Sequence, residues 1–184
     1  MLRLEGLLAS GRAAGADLVE IFLERTDHLG VLAEQDTITS VSPAFGMGAG
    51  IRVFLGDRDG FVSTNDLSDR GLMQALEQAL GMLGLSHSSS NSSPFEGLQM
   101  MRDFAAAKLD WLDSCPSLAE ATLKLLEGTG RLEHHGRHLQ ARRGSYSRDW
   151  QSVLVAASDG TFARDIRLHQ SLGLNVLAAD GDHR

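Results

Sequence analysis

The hydrophobic period changes early in the chain. Leu4, Leu7 and Leu8 recur at helical spacing and Gly15 offers a stop, which predicts a short amphipathic helix over residues 2–14. From there the period drops to two. Val19, Ile21 and Leu23 alternate with Glu20, Phe22 and Glu24, so residues 17–25 read as a strand with one buried face. Shorter strand pieces follow at Gly30 to Ala33 and Thr37 to Val41, with Gln35-Asp36 as the turn between them and Pro43 closing the second. The clearest local pattern is a hairpin: Ile51, Val53 and Leu55 alternate with Arg52 and Phe54, and Gly56-Asp57-Arg58-Asp59-Gly60 turns the chain into Phe61-Val62-Ser63-Thr64. A slip of one residue would carry Arg52 into the core, so the register is firm. Asp66 or Ser68 can cap the next helix, where Leu72, Ala75, Leu76, Ala79, Leu80 and Leu83 form a broad apolar stripe.

Ser86 to Pro94 is a polar, serine-rich run that cannot feed a core and reads as a flexible connection. Beyond it, Ser117-Leu118-Ala119-Glu120 is a capping box, with Leu118, Ala121, Leu125 and Leu132 continuing an apolar stripe that Gly128 and Gly130 weaken at its end. Strand character returns with Leu139 and Ala141, then Val153, Val155 and Ala157, a Ser158-Asp159-Gly160 turn, and a long run through Leu172, Leu174, Val176 and Ala178 in which Gly173 suggests a bulge. The expected fold is α+β, a mixed or antiparallel sheet packed with a few helices. The element order hints at two similar halves without enough identity to make a repeat. The expected organisation is a first subdomain over 1–85, a polar linker over 86–95 and a second subdomain over 96–184. The alternation stops at Asp180-Gly181-Asp182-His183-Arg184 with nothing to complete the sheet, which reads as a truncated end.

Composition narrows the function classes. The chain has 184 residues, enough to bury a real core without disulfides, and its single Cys115 leaves a reducing compartment as the easier reading. Lys and Arg number 17 against 24 Asp and Glu, a net charge of −7, so the field that would attract a phosphate backbone is missing. The densest basic stretch holds Arg137, Arg142 and Arg143 with only Tyr146 as a nearby stacking partner, and reads as a solvated strand face. Glu5 sits where a signal peptide wants basic and apolar residues, and no apolar run approaches the length of a membrane helix, so the expectation is cytoplasmic, with no membrane and no direct nucleic-acid partner.

Each candidate for chemistry meets a plainer account. His134, His135 and His138 form H-H-x-x-H, and His134 and His138 would fall one turn apart on a helix. Gly136 interrupts them, and neither a metallopeptidase-type base nor a fourth ligand accompanies them. Cys115 beside a helix start gains nucleophilicity from that position but has no identifiable His and Asn partners. The serines lack a nucleophile elbow. Asp57, Asp59, Asp66 and Asp69 do not have calcium-loop spacing and suit turns and caps. Gly46, Gly48 and Gly50 precede a strand where a dinucleotide motif needs a helix. No residue is assigned a catalytic, cofactor-binding or metal-binding role.

Several segments taken together are distinctive. Gly15-Ala16-Asp17-Leu18-Val19-Glu20-Ile21 after a first helix, Gly50-Ile51-Arg52-Val53-Phe54, Asp59-Gly60-Phe61-Val62-Ser63-Thr64 and Asp66-Leu67-Ser68 resemble the N-terminal domain of the TldD/PmbA family, also described as modulators of DNA gyrase. Ala157-Ser158-Asp159-Gly160 before a long strand fits the same family, closest to its TldD branch. The resemblance implies a cytoplasmic peptidase system acting on unfolded peptides. In it, TldD-like subunits hold zinc on an H-E-x-x-x-H helix with a downstream Cys, and PmbA-like partners without that motif complete a dimer. No His-Glu dipeptide occurs in this chain, so neither ligands nor base carry over to any residue. The glycines and Arg52 match the family pattern as fold-determining positions. The resulting expectation is a non-catalytic N-terminal part of a metallopeptidase, with zinc in a C-terminal domain of the parent. It would provide surfaces for a TldD/PmbA-like subunit and for unfolded peptide. The alternative is a stand-alone binding or dimerisation module with no enzymatic context.

Overall fold

The computed structural model describes residues 4–86, 116–133 and 139–179. Helix α1 (Glu5–Ala13) is followed by strands β1 (Leu18–Glu34), β2 (Thr37–Leu55) and β3 (Arg58–Thr64) and by helix α2 (Asp69–Met82). Helix α3 (Leu118–Glu133) and strands β4 (Leu139–Ala157) and β5 (Phe162–Ala178) complete the described elements. The strands form one antiparallel five-stranded sheet in the order β3-β2-β1-β4-β5, so the α+β expectation holds. The polar run after Ser86, His134, His135 and His138, Cys115, Arg137 and the terminal Asp180 to Arg184 lie outside the described residues.

The chain divides into two compact units, and β1, β2, β4 and β5 each give residues to both. In the first unit, α1 and α2 pack Leu7, Leu8, Leu72, Leu76 and Leu80 against Val19, Ile21, Leu23, Ile51 and Val53 of the sheet. Leu72, Leu76 and Leu80 are fully buried, each worth about 2 kcal/mol relative to exposure. Ser68 caps α2 by accepting a hydrogen bond from the Gly71 amide at 3.1 Å, and Asp66 in turn accepts from the Ser68 amide at 3.0 Å. Asp17 ties the start of β1 to the hairpin: its carboxylate accepts from the Gly56 amide at 2.7 Å and its own amide donates to the Phe54 carbonyl at 2.8 Å. The second unit has its own core of Leu29, Val31, Ala33, Ala121, Leu125 and Tyr146. The capping box of α3 is formed as its spacing implies, with the Ser117 amide donating to Glu120 at 2.7 Å and the Glu120 amide to Ser117 Oγ at 3.2 Å.

Several sequence expectations change. The first strand does not end near residue 25 but runs to Glu34, because the polar stretch that breaks the hydrophobic pattern finds partners on β4. Asp27 pairs with Arg148 at 3.6 Å, and His28 Nδ1 lies 2.6 Å from Asp149. Pro43 does not close a strand; β2 passes through it. Shielded positions on β2 are even-numbered at Ile38 and Ser40 and odd-numbered at Ala49, Ile51 and Val53, while on neighbouring β1 they stay odd. A period of two allows this only if β2 gains a residue, as at a β-bulge, where a proline is tolerated.

The hairpin turn is tighter than the glycine pair suggests. Leu55 pairs directly with Arg58, leaving Gly56-Asp57 as a two-residue loop with Gly56 at φ 61°, and Gly60 falls inside β3. The Gln35-Asp36 turn forms as expected, with Gln35 itself in the left-handed region at φ 55°. Gly173 makes no bulge. Ser147 bonds Ser171 at 2.8 Å and a Cβ on Gly173 would stand 2.9 Å from Ser145 Oγ, so both strands advance by two residues together.

Candidate functional surface

Among the described residues the sheet has two edges, β3 and β5, and both are built from features described above. On the β3 edge, the Leu55–Arg58 pair closes the loop, so Gly60 and Val62 carry the ladder to β2 on the same parity. Asp59, Phe61 and Ser63 therefore turn their main-chain N–H and C=O outward. Phe61 is 54% exposed, and its ring lies over Gly50, where an added Cβ would come within 2.9 Å of it. Phe22 flanks the same glycine and is 39% exposed. Arg52 sits 5.0 Å from the centre of the Phe54 ring and donates through Nε to Asp59 at 2.9 Å. The result is a short open edge beside an aromatic patch whose nearest cation is already neutralised.

The β5 edge is longer. Phe162, Ile166, Leu168, Leu172, Leu174 and Val176 occupy even positions, and Asp165, Arg167, His169, Ser171 and Asn175 the odd ones. The even face is the one on which α3 sits in the second unit, since a Cβ on Gly128 would stand 3.4 Å from Leu174. Even so, Leu172 and Val176 remain more than half exposed.

Two clefts in the second unit collect charge without leaving any over. One of about 370 Å3 is lined by Glu34, Gln35, Arg142, Arg143, Asn175 and Val176, among others. Arg142 is not on a solvated face: its side chain is only 9% exposed, donating to Gln35 Oε1 at 3.0 Å and lying 3.5 Å from Asp36. Arg143 is exposed and paired with Glu34 at 2.5 Å. Tyr146 is buried in the core, so it offers no stacking platform beside these arginines. The second cleft, about 270 Å3, holds the His28 side of the His28–Asp149 pair together with Asp27 and Arg148.

Of the acidic candidates, Asp57 lies in the hairpin turn, Asp59 pairs with Arg52, Asp66 serves the α2 cap and Asp69 begins α2. They do not converge. The hydroxyl and amide of Ser68 hold the Asp66 carboxyl below the usual range. The Ser117 amide and hydroxyl do the same for Glu120, and Thr161 for Asp159. These shifts belong to caps and turns. Gly48 and Gly50 lie within β2, beneath Asn65 and Phe61 respectively, where a side chain would crowd its neighbours. Among the described residues no group of three or more His, Cys, Asp or Glu side chains could hold a metal ion. Among the same residues no helix is long and apolar enough to cross a membrane. A strand edge open to an extended peptide is expected from the strand-rich pattern, but which main-chain groups face outward follows only from the register, because main-chain groups leave no motif.

Comparison with known proteins places this architecture. The family model described as PmbA/TldA metallopeptidase domain 1 matches residues 19–83, and that for the PmbA/TldA metallopeptidase central domain matches residues 104–184. A metalloprotease TldD homolog of Haemophilus influenzae is 25% identical over 170 residues, covering 91% of this chain and 34% of that protein. TldE from Thermococcus kodakarensis superposes with a TM-score of 0.69 at 18% identity, covering 97% of this chain and 40% of the other. A candidate modulator of DNA gyrase from Thermotoga maritima gives 0.72 at 14% identity, with 96% and 39% covered. One from Bacteroides thetaiotaomicron gives 0.68 at 13%, with 96% and 40% covered. The chain thus spans about a third of its curated relative and about two fifths of each solved structure. With two consecutive domains of one family accounting for most of its length, this chain belongs to the PmbA/TldD metallopeptidase family.

Proposed function

We propose that this chain is a non-catalytic portion of a TldD/PmbA-type zinc metallopeptidase, supplying peptide-access and assembly surfaces for proteolysis or peptide maturation. On this reading zinc and its ligands belong to a part of the parent protein outside this chain. The partners are a TldD/PmbA-like subunit and unfolded peptide, and the setting is the cytoplasm.

The observation that carries the reading is the β3 edge. An extended peptide laid beside it would pair with the outward main-chain groups of Asp59, Phe61 and Ser63, which asks for no particular side-chain sequence. Phe61 and Phe22 would add apolar contact. An unfolded segment can lie along the edge without giving up pairings of its own, so the edge suits unfolded substrates.

Deleting residues 50–64 would not test this, because Ile51 and Val53 are fully buried and their loss would unfold the first unit. Ser63→Pro is the sharper change. It removes an outward N–H from an edge strand, where proline is tolerated, and leaves the ladder bonds of Gly60 and Val62 in place. Fluorescence anisotropy with a labelled unfolded peptide should show about tenfold weaker binding by the variant, one good hydrogen-bonded contact. Unchanged binding by a variant with an unchanged circular dichroism spectrum would sink the proposal.

A further inference from the structure

We infer that the β3 edge selects among unfolded peptides by sequence, favouring segments bound antiparallel in which an aromatic residue is followed two positions later by lysine or arginine. This deepens the peptide-access part of the proposed function and rests on it.

The register fixes which side chains the peptide meets. Arg52 pairs with Phe61, Phe54 with Asp59 and Gly50 with Ser63, so these six residues share one face of the hairpin. Arg58, Gly60 and Val62 have the other parity, and Gly60 lies against Ala79 of α2, which puts them on the helix face. Asp59, Phe61 and Ser63, which turn their main chain outward, thus carry their side chains on the face away from α2. A peptide residue directly opposite each of them projects beside that side chain.

Phe61 sets the central position. Its ring leans over Gly50, which has no side chain to displace it, and stays more than half exposed. It therefore offers an apolar surface on which an incoming aromatic ring gains most. Asp59 sets the neighbouring position. Arg52 Nε donates to its Oδ2 at 2.9 Å, which leaves Oδ1 to accept from a peptide cation. A peptide carboxylate there would oppose like charges. The net charge of −7 draws the same cationic segments towards the chain. Because β3 runs from Asp59 to Ser63, the residue of an antiparallel peptide that faces Asp59 comes two places after the one that faces Phe61. Antiparallel pairing repeats the ladder that β3 makes with β2 and is the more stable orientation per residue.

Fluorescence anisotropy of the full chain with four threonine-rich peptides, alike except for a central Phe-Thr-Lys, Lys-Thr-Phe, Ser-Thr-Lys or Phe-Thr-Glu, tests this. The first should bind about threefold tighter than the second and third, and about tenfold tighter than the fourth. The first two have one composition, so their difference reads position alone. Asp59→Asn should bring those two together, and Phe61→Thr should bring the first and third together. Both side chains are exposed, so folding of either variant is not at stake. Equal binding of the first two peptides by the wild-type chain overturns the inference, as does an order preference that survives Asp59→Asn. If all four bind alike and Ser63→Pro weakens each of them, this inference fails while the edge remains a peptide site; if Ser63→Pro weakens none, the proposed function fails with it.

Discussion

Replacing Gly60 by alanine asks how tightly the peptide-access edge is clamped to the helix beneath it. A Cβ at this position would overlap the carbonyl oxygen of Ala79 in α2 and come 3.3 Å from that residue's carbonyl carbon and 3.2 Å from Met82 Cβ. The obstacle is helix backbone, which cannot rotate away as a side chain would. Relief requires α2 to shift, and with it Leu76, Ala79 and Leu80, all fully buried. Overpacking of this kind costs about 1–3 kcal/mol. Alanine recovers about 0.4–1 kcal/mol by restricting the unfolded chain, where the strand conformation suits it. The net expectation is a loss of about 1 kcal/mol, a fall of about 2–4 °C in Tm for a protein of this size. Gly81→Ala is the matched control. It lies in the same helix with no atom within 4 Å of the added methyl, and should gain a few tenths of a kcal/mol, up to about 1. Urea denaturation followed by far-ultraviolet circular dichroism measures both. If Gly60→Ala unfolds at the wild-type midpoint while Gly81→Ala gains stability, the close packing of β3 on α2 is refuted.

Three further outcomes are expected. Ser68→Ala removes the acceptor for the Gly71 amide and should cost about 1 kcal/mol in the same urea titration, with Ser68→Asp retaining most of the stability. Glu120 has a folded pKa lowered by the Ser117 amide and hydroxyl, so its contribution is complete above the unfolded value of about 4.3 and is lost as pH falls through the folded pKa. Wild-type stability should therefore drop across that acidic window more steeply than that of Glu120→Gln; parallel acid titrations would contradict the assignment. The purified chain should show no peptidase activity towards a fluorogenic peptide library with or without zinc, and metal-dependent cleavage would overturn the non-catalytic reading.

How far the sequence reveals these features depends on what each residue answers to. Helices α1, α2 and α3 are legible because their apolar residues recur with one period and their caps are local: Ser68 and the Ser117–Glu120 pair act within three residues of themselves. Strand ends are not, since β1 continues past Arg25 on pairings such as His28 with Asp149, which lie far away in sequence. The same distance hides the burial of Arg142, whose partners Gln35 and Asp36 sit in a turn more than a hundred residues earlier. The parity change in β2 near Pro43 is invisible to a fixed period of two. Of the candidate surface, Phe61 and the hairpin could be found. That Gly50 lies beneath its ring required the register between strands.

Because β4 supplies Leu154 and Ala156 to the first core, that core cannot close until synthesis has passed residue 156. At about 5–20 residues per second, α1, α2 and the hairpin would wait on the order of ten seconds for the last pieces of their own interior. During synthesis the greasy faces of α2 and β1 stand uncovered, a span in which a chaperone has something to hold. A nick in the segment between α2 and α3 would leave both pieces bound to each other, and severing the polypeptide there would separate neither unit from its core.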